Sequence, residues 1–168
     1  MTDPITLSRA TFAAGCFWDV EAAFRNVDGV AETVAGYTGG TVPDPDYEQV
    51  STGSTGHLEA VGIVFDPAVV SYEQLLDVFW ATHDPTRPDG QGDYTGPQYR
   101  SAIFYHDEKQ EETAFASRNR LAKLKKCGDR PVVTEILPAA IFWPAEECHQ
   151  QFYEKCSRGY CTSRQIYE

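Results

Sequence analysis

Arg9-Ala10-Thr11-Phe12-Ala13-Ala14-Gly15-Cys16-Phe17-Trp18-Asp19-Val20-Glu21 is the stretch that decides the fold. Its first six residues read as a short strand, and Gly15 interrupts it. From about Phe17 to Asn26, residues Phe17, Val20, Glu21 and Phe24 share one face at helical spacing. A strand that hands over to a helix through a glycine puts Cys16 at the helix start. There the unpaired backbone N–H groups and the positive end of the helix dipole favour thiolate over thiol. The thiolate is the nucleophilic form of cysteine. The alternative is a small buried hydrophobe, a common role for cysteine.

Outward from that junction, Gly29 ends the helix. Val30 to Tyr37 and Leu58 to Phe65 read as strands, separated by a loop rich in Gly, Pro, Thr and Ser. Ser71-x-x-Gln74 is a capping box opening a helix with Leu75, Val78 and Phe79 on its apolar face. A long loop follows, His83 to Gln98, with Pro85, Pro88 and Pro97. Tyr99 to His106 reads as a strand. Asp107-x-x-Gln110 caps a long helix that stops before Gly128. Val132 to Leu137 is a further strand, and Pro144 to Lys155 a short helix with proline in its first turn. The first six elements spell β-α-β-β-α-β, the split-βαβ, ferredoxin-like order. The expected fold class is therefore α+β: a single domain over 1–168 with a mixed sheet, helices on one face and extra C-terminal helices. An irregular, mobile tail is expected over 155–168. The loops from Thr38 to His57 and from His83 to Gln98 are long for one domain, and long loops often carry function.

Composition narrows the function classes. The chain has 168 residues, 42% of them hydrophobic, enough for one substantial core. No apolar run reaches the roughly 18 residues of a membrane-spanning helix. Met1-Thr2-Asp3-Pro4 lacks the basic and apolar regions of a signal peptide, so a cytoplasmic protein is expected. A formal net charge of −11 argues against nucleic acid or an anionic membrane as partner. The basic run Lys123-Leu124-Lys125-Lys126 reads as a solvated helix end complementing the dipole. The five cysteines are Cys16, Cys127, Cys148, Cys156 and Cys161. An odd count in a chain of this size is not a secreted disulfide framework. Their crowding toward the C-terminus points to redox or metal chemistry.

Gly15-Cys16-Phe17-Trp18 with Glu21 resembles the signature of the type A peptide methionine sulfoxide reductases. So do Ala35-Gly36-Tyr37-Thr38-Gly39-Gly40, Gly53-Ser54-Thr55-Gly56-His57-Leu58-Glu59-Ala60-Val61 and His83-Asp84-Pro85-Thr86. Gln98-Tyr99-Arg100-Ser101-Ala102-Ile103, His149-Gln150-Gln151 and Gly159-Tyr160-Cys161 complete the series in family order. One short motif is weak evidence, whereas this ordered set spans nearly the whole chain.

The resemblance implies reduction of the S-epimer of methionine sulfoxide, free or in proteins. Each sulfoxide epimer has its own enzyme. The family's nucleophile falls on Cys16, which becomes a sulfenic acid. Its acid falls on Glu59 and its two phenol donors on Tyr47 and Tyr99. A sulfoxide oxygen leaves poorly until it is protonated, which is why an acid and hydrogen-bond donors are needed. Phe17 and Trp18 match the aromatic wall for the S-methyl group. Cys161 matches the recycling cysteine, which closes a disulfide with Cys16. Thioredoxin then reduces that disulfide. No cofactor or metal is implied, and a monomer is expected. Cys156 is an extra thiol that either relays the disulfide outward or stays idle. Read without the resemblance, Glu59 is a solvent-facing strand residue, Tyr47 and Tyr99 are half-buried aromatics, and Phe17 and Trp18 are core.

The chain departs from the family pattern twice. Asp19 stands where the family has glycine. In Gln91-Gly92-Asp93-Tyr94-Thr95-Gly96 the family's aspartate aligns with Tyr94, while Asp93 lies one residue early. Either the loop shifts by one residue or Tyr94 supplies a hydroxyl. Two other classes compete. A cysteine hydrolase or acyltransferase would pair Cys16 with His57 or His83. A non-enzymatic zinc-binding tail would use Cys148, His149, Cys156 and Cys161, although adjacent Cys-His on a helix is poor ligand spacing.

Overall fold

The computed structural model describes residues 6–157. Its elements in chain order are β1 (Ser8–Ala14), α1 (Phe17–Arg25), β2 (Val30–Thr38), α2 (Tyr47–Ser51), β3 (Leu58–Phe65) and α3 (Tyr72–Thr82). They continue through β4 (Gly90–Gln91), β5 (Tyr94–Thr95), β6 (Ser101–Tyr105), α4 (Glu108–Lys123), β7 (Glu135–Pro138), β8 (Phe142–Pro144) and α5 (Phe152–Ser157). Two 3₁₀ turns, Pro97–Tyr99 and Glu147–His149, precede β6 and α5.

Six strands form one sheet in the order β7-β6-β1-β3-β2-β8. β1 is antiparallel to both β3 and β6, β2 is antiparallel to β3 and β8, and β7 runs parallel to β6. The sheet is thus mixed and the class α+β, as expected. β1 lies deep inside and is buried from Ala10 through Ala14, so both of its faces are covered. On one face Phe12 stacks against Phe24 of α1 and Phe79 of α3, each with ring centroids 5.2 Å away, and against Tyr72 at 6.0 Å. On the other, Ala13 packs with Leu58, Ala60, Ala102 and Phe104. This double burial fixes the register of β1 (Phe12 opposite Val61 and Ile103) and so fixes where the strand ends.

Local signals set the helix starts. Ser71 Oγ accepts from the Gln74 N–H while Gln74 Oε1 accepts from the Ser71 N–H, closing the expected capping box. Asp107 caps α4 by accepting from the Gln110 N–H. Asp46 and Gln49 form a second reciprocal box that opens α2 inside the first long loop. The second long loop is also partly ordered, since β4 and β5 pair as a small hairpin.

The C-terminal region differs from the expected helix over Pro144 to Lys155. Pro144 ends strand β8, and α5 begins only at Phe152. The cause is a side chain acting as a strand. Gln150 accepts from the Ala35 N–H and donates to the Ala35 carbonyl, both at 2.8 Å, and donates again to the Ala145 carbonyl at 3.0 Å. That clamp holds Ala145 to Gln150 along the edge of β2. Gln151 then turns with φ 53° before α5 starts. Residues 155–157, expected in the tail, lie in α5. Tyr99 likewise belongs to the 3₁₀ turn rather than to β6. β8 lies close on β2 because Gly36 has no Cβ; one placed there would meet Phe142 and the Trp143 carbonyl at 2.5 Å.

Truncating the shared core ring tests this packing. Phe12→Ala is expected to cost about 3–5 kcal/mol in urea unfolding, whereas Val69→Ala at an exposed position changes stability by about 0.5 kcal/mol or less. A Phe12→Ala loss below about 1 kcal/mol would show that the rings do not form the central packing.

Candidate active site

Cys16 sits where β1 delivers it, as the N-cap residue of α1. Gly15 makes the corner with φ +93°, and a Cβ there would come within 2.8 Å of Gln91 Cγ on β4. Both the left-handed conformation and the close approach require glycine. The Trp18 and Asp19 N–H groups at the helix start do stabilise the thiolate, as the sequence suggests. The balance nevertheless goes the other way. Burial first, then the facing carboxylate of Glu59, push the Cys16 thiol up to about 12. With 4% of its surface exposed, Cys16 rests as a protonated thiol at neutral pH.

Glu59 explains much of that. It lies on β3 opposite Tyr37 of β2 and is 2% exposed, so it is not a solvent-facing strand residue. Its Oε2 accepts the Phe17 N–H at 3.0 Å, an otherwise unpaired amide of the first turn of α1. Burial raises its pKa to about 8; the Phe17 N–H pulls against that shift and the charge of Asp19 adds to it. At pH 7 Glu59 is mainly a neutral carboxylic acid beside a neutral thiol.

Tyr47 and Tyr99 reach the same place from the two long loops. Tyr47 opens α2, and its N–H donates to Glu146 Oε2 at 3.2 Å. The other Glu146 oxygen accepts the Tyr37 hydroxyl at 3.1 Å. The Tyr47 ring stacks on His149 with centroids 4.4 Å apart. Tyr99 ends its 3₁₀ turn with its phenol pKa raised, by burial and then by Glu59, Tyr47 and Cys16, which places it among these groups. Trp18 is held on two sides: its indole N–H donates to His149 Nδ1 at 3.1 Å, and its ring stacks on Phe152 of α5 at 3.9 Å.

Cys16, Trp18, Tyr47 and Tyr99 line a cleft of about 610 Å³ together with Tyr94, Gln98 and others, whereas Glu59 is buried and is not among its lining residues. Phe17 stands behind the cleft, 1% exposed and in ring contact with Trp18, Tyr37, Tyr47 and His149. It supports the wall rather than forming its surface. Asp93 in the β4–β5 turn and Tyr94 in β5 both line the cleft, so each reading of that departure has its residue in place. Cys156 lies half-buried on α5 against the main core. Cys161 lies outside the described residues. Sequence reading missed Glu146 and the packing role of His149. Only the His149-Gln150-Gln151 block hinted at either.

The histidines that a hydrolase would use are committed elsewhere. His57 is bonded to the Gly40 N–H at Nδ1 and to the Val42 carbonyl at Nε2. His83 is bonded to the Phe79 carbonyl and to Ser101 Oγ. His149 has Nδ1 on Trp18 and Nε2 3.7 Å from Glu146, rather than on the cysteines of a zinc site.

The sequence profile of the family described as peptide methionine sulfoxide reductase matches residues 8–167. The chain is 56% identical over 149 residues to the peptide methionine sulfoxide reductase MsrA of Methanococcoides burtonii, covering 89% of this chain and 97% of that one. It is similar in structure to methionine sulfoxide reductase A of Corynebacterium diphtheriae, with TM-score 0.87 and 35% identity over 96% of this chain and 80% of the other. It is also similar to reduced Mxr1 from Saccharomyces cerevisiae, with TM-score 0.85 and 30% identity over 97% and 93% of the two chains. The same yeast protein in complex with Trx2 matches at TM-score 0.63 and 24% identity over 90% and 88%. The profile spans the sheet and every described cleft residue, and the Methanococcoides relative is matched along nearly its full length; this chain belongs to the peptide methionine sulfoxide reductase family.

Proposed function

We propose that Cys16, Glu59, Tyr47 and Tyr99 together perform the reduction of methionine-S-sulfoxide that family membership brings. The observation carrying this assignment is Glu59: a buried carboxyl held by the Phe17 N–H, protonated up to about pH 8, facing the Cys16 thiol. Sulfoxide reduction needs an acid at oxygen and a nucleophile at sulfur, and this pair offers both from adjacent residues of one fold.

The proton accounting follows from the resting state. The sulfoxide oxygen, oriented by the Tyr47 and Tyr99 hydroxyls, takes the proton of Glu59. The emptied carboxylate then accepts the proton of the Cys16 thiol as its sulfur attacks the sulfoxide sulfur. The S–O bond of the substrate breaks as the hydroxyl moves to the Cys16 sulfur; the S–S bond formed by the attack breaks with its electron pair, so methionine leaves as the thioether and Cys16 is a sulfenic acid. Sulfur is reduced in the substrate and oxidised in Cys16, and Glu59 ends protonated as it began. The S-methyl group packs on Trp18, with Phe17 behind it. Apolar burial of a small methyl next to a polar S–O group selects methionine sulfoxide over bulkier sulfoxides.

For recycling, Cys161 condenses with the sulfenic acid, releasing water and forming a disulfide. Cys156, on the helix that precedes Cys161 in the chain, serves as a relay by thiol–disulfide exchange. Thioredoxin supplies the two electrons, a reading supported by the yeast relative solved in complex with Trx2. Dithiol recycling fits a reducing cytoplasm. All the reductive groups come from one chain, which supports a monomer.

Three outcomes test this assignment. The single-turnover rate of sulfenic acid formation should fall about tenfold per pH unit above pH 8, because the acid form of Glu59 is lost as pH rises through its pKa. Glu59→Gln should lower that rate by roughly 10²–10⁴-fold and remove the alkaline fall. A flat wild-type profile from pH 7 to 9.5 or a Gln variant within twofold of wild type would remove Glu59 as the acid. Cys161→Ser should stop thioredoxin-driven reduction after about one equivalent of methionine, with Cys16 trapped by dimedone as sulfenic acid. Sustained thioredoxin-driven turnover in that variant would make Cys156 the resolving thiol.

A further inference from the structure

The cleft is larger than its chemistry requires. About 610 Å³ lies within the range of pockets that take ligands far bigger than one side chain. A methionine sulfoxide within a protein chain therefore brings its neighbours into the cleft. The charged groups that meet those neighbours are Glu48, on the second residue of α2, and Asp93, in the turn between β4 and β5. Both are exposed, they lie on different segments, and no Lys, Arg or His among the described residues lines the cleft.

Among the described residues, surrounding charges do not cancel the pair. Arg87 donates to the Gly92 carbonyl beside Asp93, but its guanidinium lies 3.6 Å from Asp89. Arg100, one residue after Tyr99, is paired with Glu135 at 3.2 Å. The other carboxylates nearby are occupied within the protein. Asp19 accepts the Tyr153 hydroxyl, and Glu146 takes the Tyr37 hydroxyl and the Tyr47 N–H. Glu48 and Asp93 have no ion-pair partner among the described residues, in a chain whose formal net charge is already −11.

We infer that Glu48 and Asp93 are specificity-determining residues that direct the enzyme to methionine sulfoxide flanked by lysine or arginine. The inference rests on the reductase assignment above and adds the substrate class. A cationic neighbour on either side of the sulfoxide meets a carboxylate at the rim, while an acidic neighbour meets repulsion from two directions. Such exposed contacts act on encounter and orientation more than on the chemical step, and they are screened by salt.

The test uses the full chain with dithiothreitol as reductant, so that thioredoxin docking contributes nothing. The probes are three capped pentapeptides with a central methionine-S-sulfoxide between glycines, ending at both sides in Lys, Gln or Glu. Wild type should show kcat/KM in the order Lys, Gln, Glu, with roughly a three- to tenfold span between the first and last. Glu48→Gln and Asp93→Asn should each narrow the Lys-to-Glu ratio about twofold, and the double variant should bring it near one. In 1 M salt, where the Debye length is about 3 Å, the wild-type ratio should also collapse. Reduction of all three peptides at equal efficiency, or a ratio untouched in the double variant, overturns the inference and leaves the reductase assignment standing. Failure to reduce even the Gln peptide overturns that assignment and the inference with it.

Discussion

A carboxyl group buried at the start of a helix is the constraint from which the site follows. Glu59 needs a donor inside the protein, because an unpaired buried polar group is expensive. The donor is the Phe17 N–H, which helix geometry leaves without a partner. One hydrogen bond thus satisfies an orphan of the sheet and an orphan of the helix. It ties β3 to the first turn of α1 and fixes Cys16, one residue earlier, beside the carboxyl. Gly15 must then turn with positive φ to join β1 to that helix, and β4 closes in where a side chain would have stood.

Burial explains why the nucleophile rests protonated. The start of α1 offers Cys16 two backbone N–H groups, but burial outweighs them, and any charge on Glu59 adds to that effect. A thiol in that condition is a poor nucleophile toward passing electrophiles. Its activation requires a base, and none stands free beside it while Glu59 is protonated. In the proposed mechanism, arrival of a sulfoxide changes this, because transfer of the Glu59 proton to oxygen would create the carboxylate that takes the thiol proton. That proposal makes reactivity conditional on the correct substrate oxygen being in place.

Much of this could be read from the residues, and what could not has physical reasons. The β1–α1 junction was legible because a small apolar strand, a glycine and a helical apolar face follow one another directly. Ser71 and Asp107 announced their helices through side-chain caps, which are local. The box formed by Asp46 and Gln49 has the same local form but lies among glycines, prolines and hydroxyl residues that read as loop. The break in the expected helix over Pro144 to Lys155 was not legible, because it depends on Gln150 finding β2 more than a hundred residues away. Cys16 and Glu59 were found by motif, with Glu59 as the acid, but the protonated state of Cys16 was not. A helix start argues for thiolate, and only the fold shows how deeply both groups are buried. Phe17 was assigned to the wall through the same motif, and three-dimensional packing sets it one layer behind.

The C-terminal segment joins the two halves of the reaction. Gln150 clamps it to β2, and Glu21, buried in α1, accepts the Gln151 N–H at 2.8 Å and the Thr33 hydroxyl at 3.0 Å. These bonds aim α5 so that Phe152 stacks on Trp18, and Trp18 is the wall of the cleft. The helix that braces the pocket is also the one bearing Cys156 and leading on to Cys161. Because Phe152 of α5 braces Trp18, any shift of this helix that brings Cys156 toward Cys16 also disturbs the contact behind Trp18. With Phe152 and Cys156 on the same helix, the proposed recycling would follow a fixed order: methionine formed while Phe152 is seated on Trp18, and disulfide closure once the wall has no methyl group to hold.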